Sequence, residues 1–228
     1  LPVRGASARS AIQEAGVLPP VKKVIIDRDR IAERVERLGD QIASDLAEEL
    51  SAEGAQPDQS SRIVIIPVMV GSFMFAADLV RRLPVVMSLN LVTVSSYPGA
   101  SVESKGARLR GALPDDLAGK HVVLVDDILD TGRTLSLLER LVLEQNPASL
   151  RTCVLLRKLC DRDEQVEPAY VGFDVPDEFV VGYGLDYAGC YRNLPDIAVL
   201  DMQARPDRDG SRNTEERGGS GQSAETRG

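Results

Sequence analysis

Val122-Val123-Leu124-Val125-Asp126-Asp127-Ile128-Leu129-Asp130-Thr131-Gly132-Arg133-Thr134 decides how this chain is read. His121 to Val125 is almost wholly apolar and β-branched, the composition of a strand covered on both faces. Asp126 and Asp127 fall where that strand is expected to end. Asp130 to Thr134 makes a turn and opens a helix, in which Leu135, Leu137, Leu138 and Leu141 recur at helical spacing. Gly132 lets the backbone approach a ligand closely, and Thr131 and Thr134 bring hydroxyls. With the free N–H groups of a helix N-terminus, the turn can hold a phosphate. Three carboxylates beside an anion cradle would repel the anion unless they address something else, such as sugar hydroxyls, a bound Mg2+ or a titrating base. Taken singly, Asp126 and Asp127 read as solvated turn residues and Asp130 as a helix cap. Taken together at the carboxyl end of a buried strand, where α/β sheets bind their ligands, they read as a site.

Outward from that stretch, the chain has the size and composition of one α/β domain. It has 228 residues, 43% of them hydrophobic and 27% charged, enough for a sizeable core. A formal charge of −8 and a pI near 4.8 argue against nucleic-acid or membrane-surface partners. No apolar run reaches spanning length, and the first residues lack an apolar signal core, so a cytoplasmic protein is expected. Cys153, Cys160 and Cys190 are an odd set without metal-type spacing, and read as buried or half-buried free thiols. The lone histidine, His121, disfavours a Ser-His-Asp mechanism and any multi-histidine metal site.

Residues 1–20 read as a flexible arm, 21–203 as the folded domain and 204–228 as a disordered tail, because the tail holds almost no apolar residue. Val21 to Ile26 reads as a short strand, and Asp27 as the cap of a helix striped by Ile31, Val35, Leu38, Ile42, Leu46 and Leu50. Ile63 to Ile66 is a second buried strand, followed by a helix from about Phe73 to Arg82 that offers Phe73, Phe75, Ala76 and Leu79 for packing. Pro84 to Val94 reads as a long strand, and Ser95 to Gly106 as a mobile flap. A strand over 148–157 and short strands near Tyr170, Val180 and Ile197 follow. Alternation of strand and helix predicts a mostly parallel sheet with helices on both faces.

Val125-Asp-Asp-Ile-Leu-Asp-Thr-Gly-Arg-Thr134 resembles the phosphoribosyl-diphosphate (PRPP) signature of type I phosphoribosyltransferases. With Asp in front of Thr-Gly it is most similar to the hypoxanthine-guanine branch. Other segments carry the resemblance in the family's order, from about Lys23 to Leu200. They are Gly71 to Leu79, Val94-Ser-Ser-Tyr97, Asp177 to Tyr187, and Tyr191-Arg-Asn-Leu194. The resemblance implies a type I phosphoribosyltransferase fold, a twisted and mostly parallel α/β sheet with a small hood subdomain and a mobile loop. It implies an enzyme of purine salvage that transfers the phosphoribosyl group of PRPP to a 6-oxopurine, giving IMP or GMP and pyrophosphate. Mg2+ is the implied cofactor, and a homodimer or homotetramer the implied assembly.

Residue by residue, the resemblance makes Asp130 the general acid/base beside purine N7. Residues Asp130, Thr131, Gly132, Arg133 and Thr134 form the 5′-phosphate loop, and Asp126 and Asp127 the acidic pair for ribose hydroxyls and metal. Val70 and Gly71 present backbone to pyrophosphate, a contact joined by Arg192, whose fork matches phosphate oxygens. Lys158 donates to the 6-oxo group, Phe179 stacks on the base, and Val180 offers backbone groups to its edge. Asp186 is a hard oxygen ligand for Mg2+, with Asp126 and Asp127 beside it. Ser96 and Tyr97 open the mobile loop. Two positions depart from the pattern: Asp126 stands where Glu is common, and Val70 where the family usually has Lys, which removes a side-chain contribution and leaves a backbone one. Two alternatives remain at this stage. One is a non-catalytic nucleotide-binding regulator of the same fold, which Asp130 and the acidic balance disfavour. The other is an enzyme for adenine, orotate or uracil, which Lys158 and the 179–186 segment disfavour.

Overall fold

The computed structural model describes residues 18–52, 54, 62–96, 107–110 and 112–204. The expected arm, tail and flap tip lie almost wholly outside the described residues. Pro20–Met202 form one compact unit. Its main sheet collects β2 (Ile63–Met69), β3 (Ser88–Leu89), β4 (Val92–Ser96), β5 (Ala107–Arg110), β6 (His121–Leu129), β7 (Ser149–Lys158) and β8 (Tyr170–Val175). The spatial order is β5-β4-β2-β6-β7-β8, with β3 also paired to β2. Every pairing is parallel except β4 with β5. A second, antiparallel sheet of β1 (Val21–Ile26), β10 (Ile197–Leu200) and β9 (Val180–Val181) forms a small hood.

The strands are apolar on both faces because helices cover both. Ile63, Ile65, Val123 and Val125 pack with α1 (Arg28–Ala52) and α2 (Phe73–Val80). The alternate residues Val64, Ile66, Val122 and Leu124 pack with Leu138 and Val142 of α3 (Arg133–Leu143). That two-residue alternation between two covered faces is what an unbroken apolar run means in a parallel sheet. Ile31, Val35, Leu38, Ile42 and Leu46 form the buried stripe of α1 as the spacing predicts, while Leu50, expected to continue it, is half-buried near the helix end. Asp27 caps it, its Oδ1 accepting from the N–H groups of Asp29 and Arg30 at 3.1 and 2.9 Å.

Several local expectations are corrected. The expected strand over 84–94 is reduced to β3 and β4, which keep one register against β2: Val64 pairs Ser88 and Met69 pairs Thr93. Between them the N–H of Asn90 donates to Ile65 O at 3.0 Å. In a parallel ladder the return donor would come from residue 67, and Pro67 has no N–H, so the ladder breaks there. The buried stripe of α3 is Leu135, Leu138 and Val142, with Leu137 and Leu141 half-buried. α2 ends at Val80, and Phe73 is exposed while Phe75 is buried. Of the cysteines, Cys153 is buried, Cys160 half-buried and Cys190 exposed. Cys190 departs from the expectation because it sits in a surface turn closed by Tyr187. No described helix is long and apolar enough to cross a membrane.

Candidate active site

β2, β6 and β7 run parallel, so their carboxyl ends meet at one edge of the sheet. The sequence-predicted residues gather there from four segments. β6 is longer than expected and reaches Leu129, with Asp126 opposite Val154 and Leu129 opposite Arg157 on β7. The acidic pair is therefore held inside the sheet rather than in a turn. Asp126 is 5% exposed. Its Oδ1 accepts from the N–H of Asp127 at 2.9 Å, and Asp127 Oδ1 accepts from the N–H of Ile128 at 3.0 Å. Burial, and then the neighbouring Asp127 charge, push the Asp126 carboxyl well above the usual range. Burial also raises Asp127. Water has been stripped from two acids side by side, which is a poor arrangement for stability alone.

The turn after β6 is the expected anion cradle. Gly132 has φ 82°, and a Cβ there would lie 2.5 Å from Glu164 O. Glu164 in turn donates its N–H to Thr131 O at 3.1 Å, fixing the turn from the far side. Gly132 is the N-cap of α3 and brings no side chain to it, so the first N–H groups of that helix face the cavity. The guanidinium of Arg133 turns to Asp163 at 3.0 Å, which leaves its backbone to serve the cradle.

The loop after β2 faces the acids. Buried Ser72 donates to Val68 O at 2.6 Å, and the Met69–Val70 peptide is cis. Gly71 packs so closely on the acidic pair that a Cβ would lie 1.8 Å from Asp127 Oδ2. The hood closes on this loop: a Cβ on Gly184, at φ +105°, would lie 2.1 Å from Gly71 O. Arg192 bridges the hood turn, donating to Gly184 O at 2.6 Å and pairing with Asp186 Oδ1 at 2.6 Å. Asp186 Oδ2 also accepts from the N–H of Gly189 at 2.7 Å. Tyr183 donates to Asp78 Oδ2 at 2.6 Å, pinning the same turn to α2.

These groups line a cavity of about 490 Å³ that includes Gly71, Asp126, Asp127, Asp130, Thr131, Gly132, Arg133, Thr134, Asp186 and Arg192. An adjoining cavity of about 160 Å³ shares Asp127, Asp130 and Asp186 and adds Lys158, Phe179 and Val180. Lys158 is the last residue of β7, its side chain only 12% exposed, and its Nζ lies 3.1 Å from Asp130 Oδ2 and 3.2 Å from Asp177 Oδ1. Burial alone would lower its pKa, but hydrogen bonds and charge from Asp130 and Asp177 outweigh it, so the ammonium is held above its ordinary value. Phe179 is 41% exposed, edge-on to Tyr187 at 5.4 Å, with a face free of core packing. The Val180 side chain is buried, which leaves only its backbone to a ligand.

Ser96 ends β4 beside Ala107, and Tyr97 with the rest of the flap to Gly106 lies outside the described residues. Among the described residues, the three potential ligand groups that converge within 4.8 Å are Asp130, Cys160 and Asp177, and the two acids are already paired with the Lys158 ammonium. Asp126, Asp127 and Asp186 line the larger cavity as separate oxygen donors. Sequence reasoning missed Asp177, Tyr183, Asp78 and Ser72. For Asp177 the one available signal is an acid two residues ahead of Phe179; Ser72 and Asp78 carry no local signal.

A family model for the phosphoribosyl transferase domain matches residues 34–188. The chain belongs to the phosphoribosyl transferase family. Its curated relatives include the hypoxanthine-guanine phosphoribosyltransferase of Mycobacterium tuberculosis (strain ATCC 25618 / H37Rv), 42% identical over 200 residues. That match covers 87% of this chain and 96% of the relative. The hypoxanthine phosphoribosyltransferase of Haemophilus influenzae is 39% identical over 180 residues, covering 79% of this chain and 96% of the relative. Among solved structures, a hypoxanthine-guanine phosphoribosyltransferase from Bacillus anthracis with HEPES in its active site superposes with a TM-score of 0.69. It is 35% identical and covers 80% of this chain and all of that one. The phosphoribosyltransferase fold expected from the sequence is the fold observed.

Proposed function

We propose that this protein transfers the 5-phosphoribosyl group of PRPP to N9 of a 6-oxopurine, hypoxanthine and/or guanine, releasing pyrophosphate. The observation that carries this reading is two adjoining cavities with shared lining, one with an anion cradle and acidic pair, the other with a half-buried lysine beside an exposed aromatic face. The combined site is of the size that small-molecule ligands use. In the reaction the bond from C1′ to pyrophosphate oxygen breaks and the bond from C1′ to purine N9 forms. The backbone N–H groups of 131–134 hold the 5′-phosphate, and Arg192 and the backbone at 70–71 hold the leaving pyrophosphate. Lys158 donates to the 6-oxo group, which an amino substituent could not accept. Phe179 stacks on the base, and Asp130 holds or moves the proton at N7.

The donor set fits a divalent cation. Asp126, Asp127 and Asp186 supply hard oxygens to one cavity, and the first, buried, and the second, half-buried, carry charge that a cation would offset. Bound there, Mg2+ supplies charge neutralisation for pyrophosphate and ribose oxygens. The exposed apolar side chains of Val70, Phe73 and Met74 support self-association as a homodimer or homotetramer, which light scattering reads directly. A cytoplasmic setting belongs to the same reading.

The test is nucleotide formation from PRPP and Mg2+ with hypoxanthine, guanine, xanthine, adenine and uracil. Turnover confined to oxopurines supports the reading; turnover of adenine or uracil alone overturns it.

The acidic pair gives a second measurable consequence. Asp126 has a folded pKa above its unfolded one, so stability is full below the ordinary carboxylate value and is lost as pH rises through the folded value. In metal-free protein, Asp126→Asn should therefore raise Tm near neutral pH by about 2–4 °C, the response to roughly 1 kcal/mol in a domain of this size. The gain should shrink as pH falls through about 4 and vanish below about pH 3, where the wild-type carboxyl is protonated in both states. A lower Tm for the variant at neutral pH would count against an energetic cost at this pair.

A further inference from the structure

Lys158 has two acidic partners, and the proposed reaction uses only one of them. Its Nζ sits 3.1 Å from Asp130 Oδ2 and 3.2 Å from Asp177 Oδ1. Asp177 reaches it from the turn between β8 and β9, a turn tightened by the N–H of Glu178 donating to Pro176 O at 2.8 Å. The Asp177 side chain is 62% exposed, and its described polar contact is with Lys158. An ammonium has three N–H donors. One donates to Asp130 and the charge also pairs with Asp177, which leaves a donor for an acceptor in the base cavity.

The geometry points to Asp177 as the positioning residue for the base-binding lysine, an inference that rests on the transferase reading above. Before the base arrives, Asp130 and Lys158 hold each other. When the base enters, Asp130 turns to N7 and its grip on Lys158 is shared or lost. A lysine with one partner would then be free to rotate over its four-carbon stem, and ordering it again opposes binding. Asp177 keeps Nζ where the 6-oxo group meets it, and it does so from the solvent side, without touching the base. The contact also keeps the ammonium charged through the exchange, so the pocket presents only donors to position 6.

Because Lys158 meets the base in both the Michaelis complex and the transition state, loss of its anchor removes uniform binding. Asp177→Asn should raise the KM for hypoxanthine or guanine about five- to tenfold, tenfold being ~1.4 kcal/mol. The kcat and the KM for PRPP should stay where they are, a split that a general loss of structure would not give. Asp177→Glu should recover part of the affinity. In a Lys158→Gln background, Asp177→Asn should have no further effect, since its action passes through the lysine. Calorimetric binding of IMP to the wild type, Asp177→Asn, Lys158→Gln and the double variant gives the same comparison without turnover. An unchanged base KM and IMP affinity in Asp177→Asn, or an equal loss with and without Lys158, overturns the inference. Wild-type protein that neither binds IMP nor turns over an oxopurine overturns the transferase reading itself, and the inference with it. Wild-type protein that binds IMP without turnover removes the enzymatic reading and leaves the binding comparison to decide Asp177.

Discussion

Asp130→Asn should lower kcat by about 10²- to 10⁴-fold, the range that a general acid or base contributes, with PRPP affinity unchanged. Asp130 stands at the junction of the two cavities, 3.1 Å from Lys158 and at the start of the anion cradle. Asparagine keeps the shape and an oxygen that can accept from Lys158, so the base pocket stays assembled. What it loses is the ability to take or hold the N7 proton. A fall in kcat with both KM values retained marks a group that acts in the transition state. Steady-state kinetics with hypoxanthine, together with calorimetric PRPP binding, checks it. Turnover at the wild-type rate would remove Asp130 from the chemistry.

Gly71→Ala should lower kcat/KM for PRPP about a hundredfold, while the folded state loses far less than activity does. The new methyl would lie 1.8 Å from Asp127 Oδ2 and 2.6 Å from its Cγ. No covalent structure tolerates that approach, so Asp127 must rotate away from the ribose side of the cavity. Gly71 has no left-handed φ, so alanine fits its backbone, and the atom that yields is the end of a side chain. The structural penalty belongs at the lower end of the ~1–3 kcal/mol typical of overpacking. The functional penalty is larger, because a displacement of about 1 Å at a positioning group costs on the order of 10²-fold. Urea denaturation beside kcat/KM separates the two. A variant with wild-type kcat/KM would show that the approach of Gly71 to Asp127 does not set the geometry of the site.

The strand-turn-helix at 121–143 was legible because each of its parts is a local pattern. A β-branched run, a Gly at a left-handed turn and leucines at helical spacing are properties of neighbours along the chain. The positions of the acids and the phosphate loop at the end of a strand were legible in the same way, whereas the roles given to them, to Lys158 and to Phe179 came from the resemblance of their segments to the family. The length of β6 was not legible. Asp126 and Asp127 look like the start of a turn, yet pairing with Val154, Leu156 and Arg157 of β7 carries the strand past them to Leu129. The break between β3 and β4 was hidden for a related reason, since its cause is the missing N–H of Pro67 on a different strand.

By itself, then, the sequence determined the α/β class, the parallel order of its main strands' chemistry and the residues that carry charge to the sheet edge. Only the tertiary structure decided which of them meet. That Gly71 presses on Asp127, that Gly184 presses on Gly71, and that Lys158 divides itself between Asp130 and Asp177 are contacts between segments far apart in the chain. Such contacts follow from strand register and from how the hood closes over the sheet, and neither is encoded in the spacing of nearby residues.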